Sequence, residues 1–418
     1  MNRLDRLVKS TLRKAVAPKK VASRLVARKL AELGVILRDE QRESLERDID
    51  LDHLDRITLD LDDDQIRQLR SAQTDASGDV SIRFTDEDVV EFENRVKNAI
   101  DVLIPGVMEI VSKAILDAWK SEARRLLAAQ RAGRSDFEKV IHESWGVAID
   151  LLETLISVCL EAGSEFNRQF RPKAARKGDV VFDVLTRSHA RACQVAFEIL
   201  ALLKAGFADG ALARWRTLHE IAVTAMFVAE HGNRLAERFL AHTSITNYHE
   251  AIQYQKHCLA LGYDPLTEEE WDTLRTKRAR LLELYGVGFG SVYGWAAEVL
   301  GVAEPKFTDI EQNVSLEHLR PFYTLANINV HAGSKGLIFR LGLPSEHDDV
   351  MVAGPSVYGL ADPGQNTAIS INQVTATLLL TKPNMDRLSF LSATQSLVDE
   401  IKNEFIRTLQ NLEKGTAG

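Results

Sequence analysis

No stretch of this sequence stays apolar for the roughly 18 to 20 residues that a bilayer-crossing helix needs. The most apolar segments, near Ile199 and Met226, are interrupted by Lys204 and Glu220. The expectation is therefore a soluble chain. The basic N-terminus lacks the unbroken apolar core and small-residue cleavage site of a secretory signal, so a cytoplasmic location is expected. Cysteine is scarce, and Cys159, Cys193 and Cys258 lie far apart among apolar residues of helical spacing. Reduced thiols fit this better than a disulfide framework, and no Cys/His spacing resembles a zinc site. The glycines Gly286, Gly288, Gly290 and Gly294 are followed by no Gly-Lys-Ser/Thr and preceded by no strand pattern, so they read as a helix-connecting turn and not as a phosphate cradle. Acids at Asp60, Asp62, Asp63 and Asp64 come without the turn glycine and closing Glu of a calcium loop. No metal and no cofactor are expected, and no repeat stands out at solenoid periods.

What is present is enough apolar sequence for a sizeable core: 45% of the 418 residues are hydrophobic and 27% charged, and the length suggests two or three structural units. The net charge of -8 is unevenly spread. Residues 1–30 carry ten Lys or Arg against the single acid Asp5, so this segment is strongly basic and the remainder strongly acidic. Such a leader suits a protein partner, nucleic acid, an anionic membrane surface or the acidic stretch of the same chain; the alternative is a solvated face packing on residues 40–64.

Periodicity gives a mainly α chain, a multi-helix bundle with a small appended N-terminal domain. Three regions are expected: a basic/acidic domain over 1–84, a long-helix region over 85–178 and a helical bundle core over 179–418. In the first, Val21 to Leu37 has helical spacing, and a short strand is expected over Ser81 to Phe84. Thr85 followed by Asp-Glu-Asp supplies an N-cap and a negatively charged first turn. Pro105-Gly106 predicts a kink or break, and the basic, Pro-containing Arg168 to Lys177 predicts an exposed connector. The core region shows helices over Val180 to Lys204, Gly210 to Glu230 and Arg234 to Leu261, with turn signals at Asp209-Gly210 and His231-Gly232-Asn233. Thr267 opens a helix reaching Leu284, and further helices are expected over 295–300, 316–331, 370–380 and 386–412. Residues 334–364, rich in Gly, Pro and Asp, predict a short β-hairpin or a loop insertion.

Two motifs carry the candidate chemistry. Arg216 and Glu220 stand four apart on a helix whose neighbours, Leu212, Trp215, Leu218, Ile221 and Met226, leave it little polar surface, so an ion pair there is partly buried. Such pairs occur at functional sites and as clamps between helices. Arg320, Tyr323, Asn327 and His331 recur at three- or four-residue spacing, placing a cation, a phenol, an amide and an imidazole on one stripe. His331, at the helix end before Ala332-Gly333, titrates near neutrality when unperturbed and is the candidate acid or base. The catalytic candidates are thus His331, Glu220 and Arg216. The candidates for substrate binding are Arg320, Asn327, Tyr323, Arg187 and His189; His219, beside Glu220, faces elsewhere on its helix.

The segment from about Asp179 to Leu380 resembles domain-of-unknown-function family 5677, a set of mostly bacterial helical proteins. Arg216-Thr-Leu-His-Glu220 within Gly210-Ala-Leu-Ala-Arg-Trp-Arg, and Tyr323-x-x-x-Asn327-x-x-x-His331-Ala-Gly, carry this resemblance. A looser likeness is to the helical bundles called HEPN, many of them RNases of defence or toxin systems, whose active motif is Arg, four to six residues, then His. This sequence departs from that motif: Arg340 to His347 spans Gly342 and Pro344, and Arg238 and His242 are one residue too close. The resemblance implies a defence- or toxin-type effector that binds RNA or a nucleotide, with metal-independent RNA cleavage by His331 as the enzymatic expectation. The rival expectation is a non-catalytic protein-interaction or sensor module. A second copy of the chain is an expected partner in either case.

Overall fold

The computed structural model describes residues 18–49, 57–72, 84–343 and 351–416. They are mainly helical, and no strand occurs among them. Two compact units divide between Gln130 and Arg131. The basic residues before Pro18 lie outside the described residues, as do Ser81, Ile82 and Arg83 of the expected strand; Phe84 is not in a strand.

In the first unit, α1 (Pro18–Glu32), α2 (Asp39–Asp48) and α3 (Asp63–Ala72) enclose a small core of Val26, Leu30, Val35, Leu37, Leu45 and Ile49. Asp62 accepts from the backbone N–H groups of Asp64 and Gln65, which caps α3, and pairs with Arg38. Helix α4 (Asp86–Lys177) opens as its sequence predicts: the Thr85 hydroxyl accepts from Asp88 N–H, and the Asp88 carboxylate accepts from Thr85 N–H. Lys29 and Arg28 of α1 meet that same carboxylate at 2.7 and 3.0 Å, and the Lys29 hydrogen bond, with those from Thr85, holds its pKa far below the usual range.

Helix α4 corrects two expectations. It runs unbroken through Pro105, which is exposed, and through Arg168–Lys177. A proline removes one helical donor, and at an exposed position solvent reaches the carbonyl left over. The expected connector stays helical because Phe166 and Ala174 bury against Phe182 and Leu185; Gly178, at φ +60°, then ends the helix.

The second unit is a bundle built around α5 (Val180–Lys204) and α6 (Ala208–Ala241). They are joined through Gly206, whose φ of +76° and 2.9 Å approach of the Ser356 carbonyl to a Cβ there exclude any larger residue. Helix α6 changes direction at Gly232 (φ +77°), where the sequence carries its turn signal. A hairpin of α7 (Thr243–His257) and α8 (Glu268–Tyr285) follows, then short helices α9 (Ala297–Leu300) and α10 (Phe307–Asn313), and α11 (Arg320–Val330) against α6. Helix α13 (Ala361–Leu379) packs on α5, α6 and α14 (Met385–Thr416). The core holds Trp145, Trp215, Phe227, Phe289 and Phe405, and the Trp215 indole N–H donates to the Asn366 carbonyl and the Ser370 hydroxyl, both at 3.0 Å.

Helix α13 begins nine residues before its predicted start at Ser370. Gly364, read as a loop residue, sits inside the helix because the Phe405 ring would lie 2.2 Å from a Cβ at that position. The expected hairpin over 334–364 is likewise absent from its described residues, which form α12 (Ser334–Ile338), irregular backbone and the start of α13. Their polar groups are spent on the bundle and not on a strand ladder: Leu341 N–H donates to Asp209 (3.0 Å), Ser356 N–H to Gly206 (2.9 Å), and the Val357 carbonyl accepts from Trp145 (2.8 Å). All three cysteines are buried and free, and among the described residues no helix is long and apolar enough to cross a membrane.

Candidate functional site: a paired Arg–Glu cluster around Tyr323

The helical spacing of Arg216 and Glu220 produces the pair expected of it, with Arg216 Nε donating to Glu220 Oε1 at 3.0 Å. Helix α11 brings Tyr323 to the same oxygen, to which the phenol donates at 2.5 Å. Burial pushes the Tyr323 pKa up, and Glu220 pushes it further, so the phenol stays a donor at neutral pH.

Beside Glu220 on α6 but turned towards the core, His219 is fully buried against Trp215, Phe307 and Tyr323. Its Nε2 lies 2.7 Å from Glu311 Oε1, and Glu311, from α10, is also wholly buried. Oε2 of Glu311 pairs with Arg320. Burial lowers the His219 pKa while Glu311 opposes the shift, so the ring is neutral at pH 7, with its proton on the nitrogen facing the carboxylate. That leaves Nδ1 an acceptor, buried and without a partner.

The two halves meet on one ring. The guanidinium carbons of Arg216 and Arg320 stand 4.8 and 4.7 Å from the Tyr323 centroid, in cation–π range, and Phe307 stacks on Tyr323 at 5.4 Å. The Arg216, Glu220 and Arg320 side chains keep 27%, 34% and 29% of their surface exposed, so the cluster has a buried floor and a wet rim. Two cations balance two carboxylates within it.

The other expected site residues lie elsewhere. His331 is exposed just past the end of α11, eight residues beyond Tyr323, which is about 12 Å of helical rise. Asn327 shares the helix with Tyr323, and its Oδ1 is buried without a partner. Arg187 pairs with Asp183 on the surface of α5 at 2.8 Å. His189 is buried on α5 between Thr375 (3.1 Å) and Gly163. Burial lowers its pKa to about 4.

The second Arg/His pair serves the glycine loop. Arg238, nearly fully buried, donates to the carbonyls of Trp295 (3.1 Å) and Gly294 (3.4 Å) and pairs with Glu298 at 2.9 Å; its head also lies over Tyr285 and Phe289. His242 Nε2 donates to the Ser291 carbonyl at 2.8 Å. These donors hold the Gly286–Gly294 turn in place, as a helix-connecting segment requires, and are not directed at solvent. Arg340 lines a cavity of about 240 Å³ with the first turn of α6, while His347 lies outside the described residues.

The structure brings together four of the candidates, Arg216, Glu220, Arg320 and Tyr323, and adds Glu311 and an inward-facing His219, which the sequence did not single out. The available signal was weak: Glu311 follows Ile310, four residues after Phe307, on a short segment that also carries the capping Asp309, and a carboxylate buried there requires a partner. No curated protein and no solved structure matches the chain. Residues 182–349, which carry Arg216, His219, Glu220, Glu311, Arg320 and Tyr323, match the model of a family of unknown function, DUF5677.

Proposed function

We propose that the second unit is a binding module for a phosphate-bearing ligand, RNA or a nucleotide, in an effector of the defence or toxin type. The observation that carries this reading is the pair of part-exposed guanidiniums set around Tyr323. Each is held by a carboxylate, Arg216 by the part-exposed Glu220 and Arg320 by the buried Glu311, which fixes the planar fork and spares it the entropy cost of ordering on binding. Arginine forks suit phosphate oxygens. With both guanidiniums and Phe307 against the Tyr323 ring, little of that ring is left for a base to stack on, so recognition falls on phosphate and not on sequence.

Binding is favoured over turnover. The histidine within the cluster is buried and committed to Glu311, and His331 stands apart from it. Fluorescence anisotropy with a labelled 20-nucleotide single-stranded RNA, with ATP as competitor, tests the reading. Arg216→Gln and Arg320→Gln are each expected to weaken binding about 10- to 100-fold, the worth of a charge-assisted hydrogen bond. Equal binding by wild type and both variants, or none by any, rejects it. Wild type and His331→Ala are expected to leave total RNA equally intact; cleavage lost in His331→Ala would replace binding by ribonuclease action.

A second reading, a non-catalytic interaction or sensor module, draws on the charge balance: every cation of the cluster already has a carboxylate. It predicts that the Arg variants lose stability without losing any ligand.

A further inference from the structure

Arg320 owes its place to a residue that touches no solvent. We infer that His219, acting through Glu311, is a positioning residue for the proposed phosphate site; the inference rests on that reading of Arg216 and Arg320.

The geometry runs as a relay of single hydrogen bonds. Neutral His219 has one donor, on Nε2, and gives it to Glu311 Oε1 at 2.7 Å. The carboxylate is thereby turned so that Oε2 faces Arg320, and both His219 and Glu311 are wholly buried, so water cannot substitute for either. The carboxylate sits on α10, whose seven residues pack on α6, and Phe307 of the same helix lies edge-on to His219 and under Arg320 at 5.6 Å. Arg320 is therefore fixed at one nitrogen by Glu311 and on its face by Tyr323 and Phe307, with its exposed portion directed outward. Without the histidine donor, Glu311 keeps Arg320 as its one side-chain partner among the described residues and is free to rotate or to draw the guanidinium inward. Arg216 has its own anchor in Glu220 and is not affected by this chain.

The consequence is non-additivity, because residues that act in one network do not contribute independently. The same labelled RNA is titrated against wild type, His219→Leu, His219→Gln, Arg320→Gln and the His219→Leu/Arg320→Gln double variant, at 50 and 200 mM salt. Leucine removes the donor; glutamine keeps an amide N–H near the Nε2 position. His219→Leu is expected to weaken binding about 10-fold and to lower the salt slope by about one, as loss of one phosphate contact does. The double variant is expected to bind no more weakly than Arg320→Gln alone, and His219→Gln to stay within about 3-fold of wild type. A residue that merely fills the core would leave the salt slope unchanged. If His219→Leu does not fold, Glu311→Gln, which keeps the side-chain volume, carries the same expectation. Additive losses, or a wild-type salt slope in His219→Leu, overturn the positioning role while the phosphate site stands. Absence of RNA binding by wild type removes the site and the positioning role together.

Discussion

Glu311→Leu is expected to cost the second unit roughly 3 kcal/mol, measured as a lowered urea midpoint at an unchanged slope. Two losses add to this figure. The Nε2 donor of His219 is left buried without an acceptor, which costs about 1 to 3 kcal/mol. Arg320 loses its carboxylate as well, but with 29% of its side chain exposed it rehydrates in part, so its share is below the cost of a fully buried orphan charge. The volume of leucine is close to that of glutamate, so little cavity cost is added. A companion variant separates the two parts: in His219→Leu/Glu311→Leu no buried donor remains, and the double variant is expected to be more stable than Glu311→Leu alone. A loss below about 1 kcal/mol in Glu311→Leu would mean that the buried carboxylate does not hold the cluster together.

That prediction concerns a residue the sequence does not point to by spacing, and the reason is physical. Periodicity relates residues on one helix. It therefore placed Arg216 beside Glu220 and aligned Arg320 with Tyr323, and it set α5 at Val180–Lys204 and opened α8 next to the Thr267 cap. The junction between the two stripes depends on α11 crossing α6, which no local rule supplies. Glu311 reaches His219 across 92 positions from a helix only seven residues long. His219 itself was read as facing away from Glu220. It does face away, and the face it turns to is the core side where Glu311 waits.

The departures at proline and glycine share a form. Pro105, Pro172 and Gly364 all lie within helices, although each reads locally as a breaker. At Pro172 and Gly364 local propensity is outweighed by packing, since the helix through Pro172 buries Ala174 and Phe166 and Gly364 admits the Phe405 ring, whereas at exposed Pro105 solvent takes up the carbonyl left over. At Gly232, where φ is above zero, the turn signal agrees with the structure, while Asp209-Gly210 lies within the first turn of α6 and the positive φ falls at Gly206. A glycine in sequence thus marks either a turn or a close approach, and the surrounding apolar spacing is the same in both cases.

His189 provides the second large effect, as a loss of stability in acid. Its imidazole is 3% exposed, bonded to the Thr375 hydroxyl, and pressed on Gly163 so closely that a Cβ there would stand 2.1 Å from the ring. Burial lowers its pKa from 6.5 to about 4. The unfolded chain therefore binds a proton at higher pH than the folded one, so the stabilisation is complete above pH 6.5 and is lost as the pH falls from there to about 4. A shift of this size corresponds to about 3 kcal/mol. Carboxylates titrate over part of the same window, so the informative quantity is the difference between wild type and His189→Gln, which retains an amide donor for Thr375 and carries no titrating ring. Urea unfolding at pH 7.5 and pH 4.0 is expected to show that difference moving by about 3 kcal/mol in favour of the variant at the lower pH. Gly163→Ala should act in the same place, displacing the ring from its buried position and destabilising the unit at pH 7.5. A wild type and His189→Gln whose stabilities fall in parallel between those pH values would show that the buried imidazole is not the group that titrates.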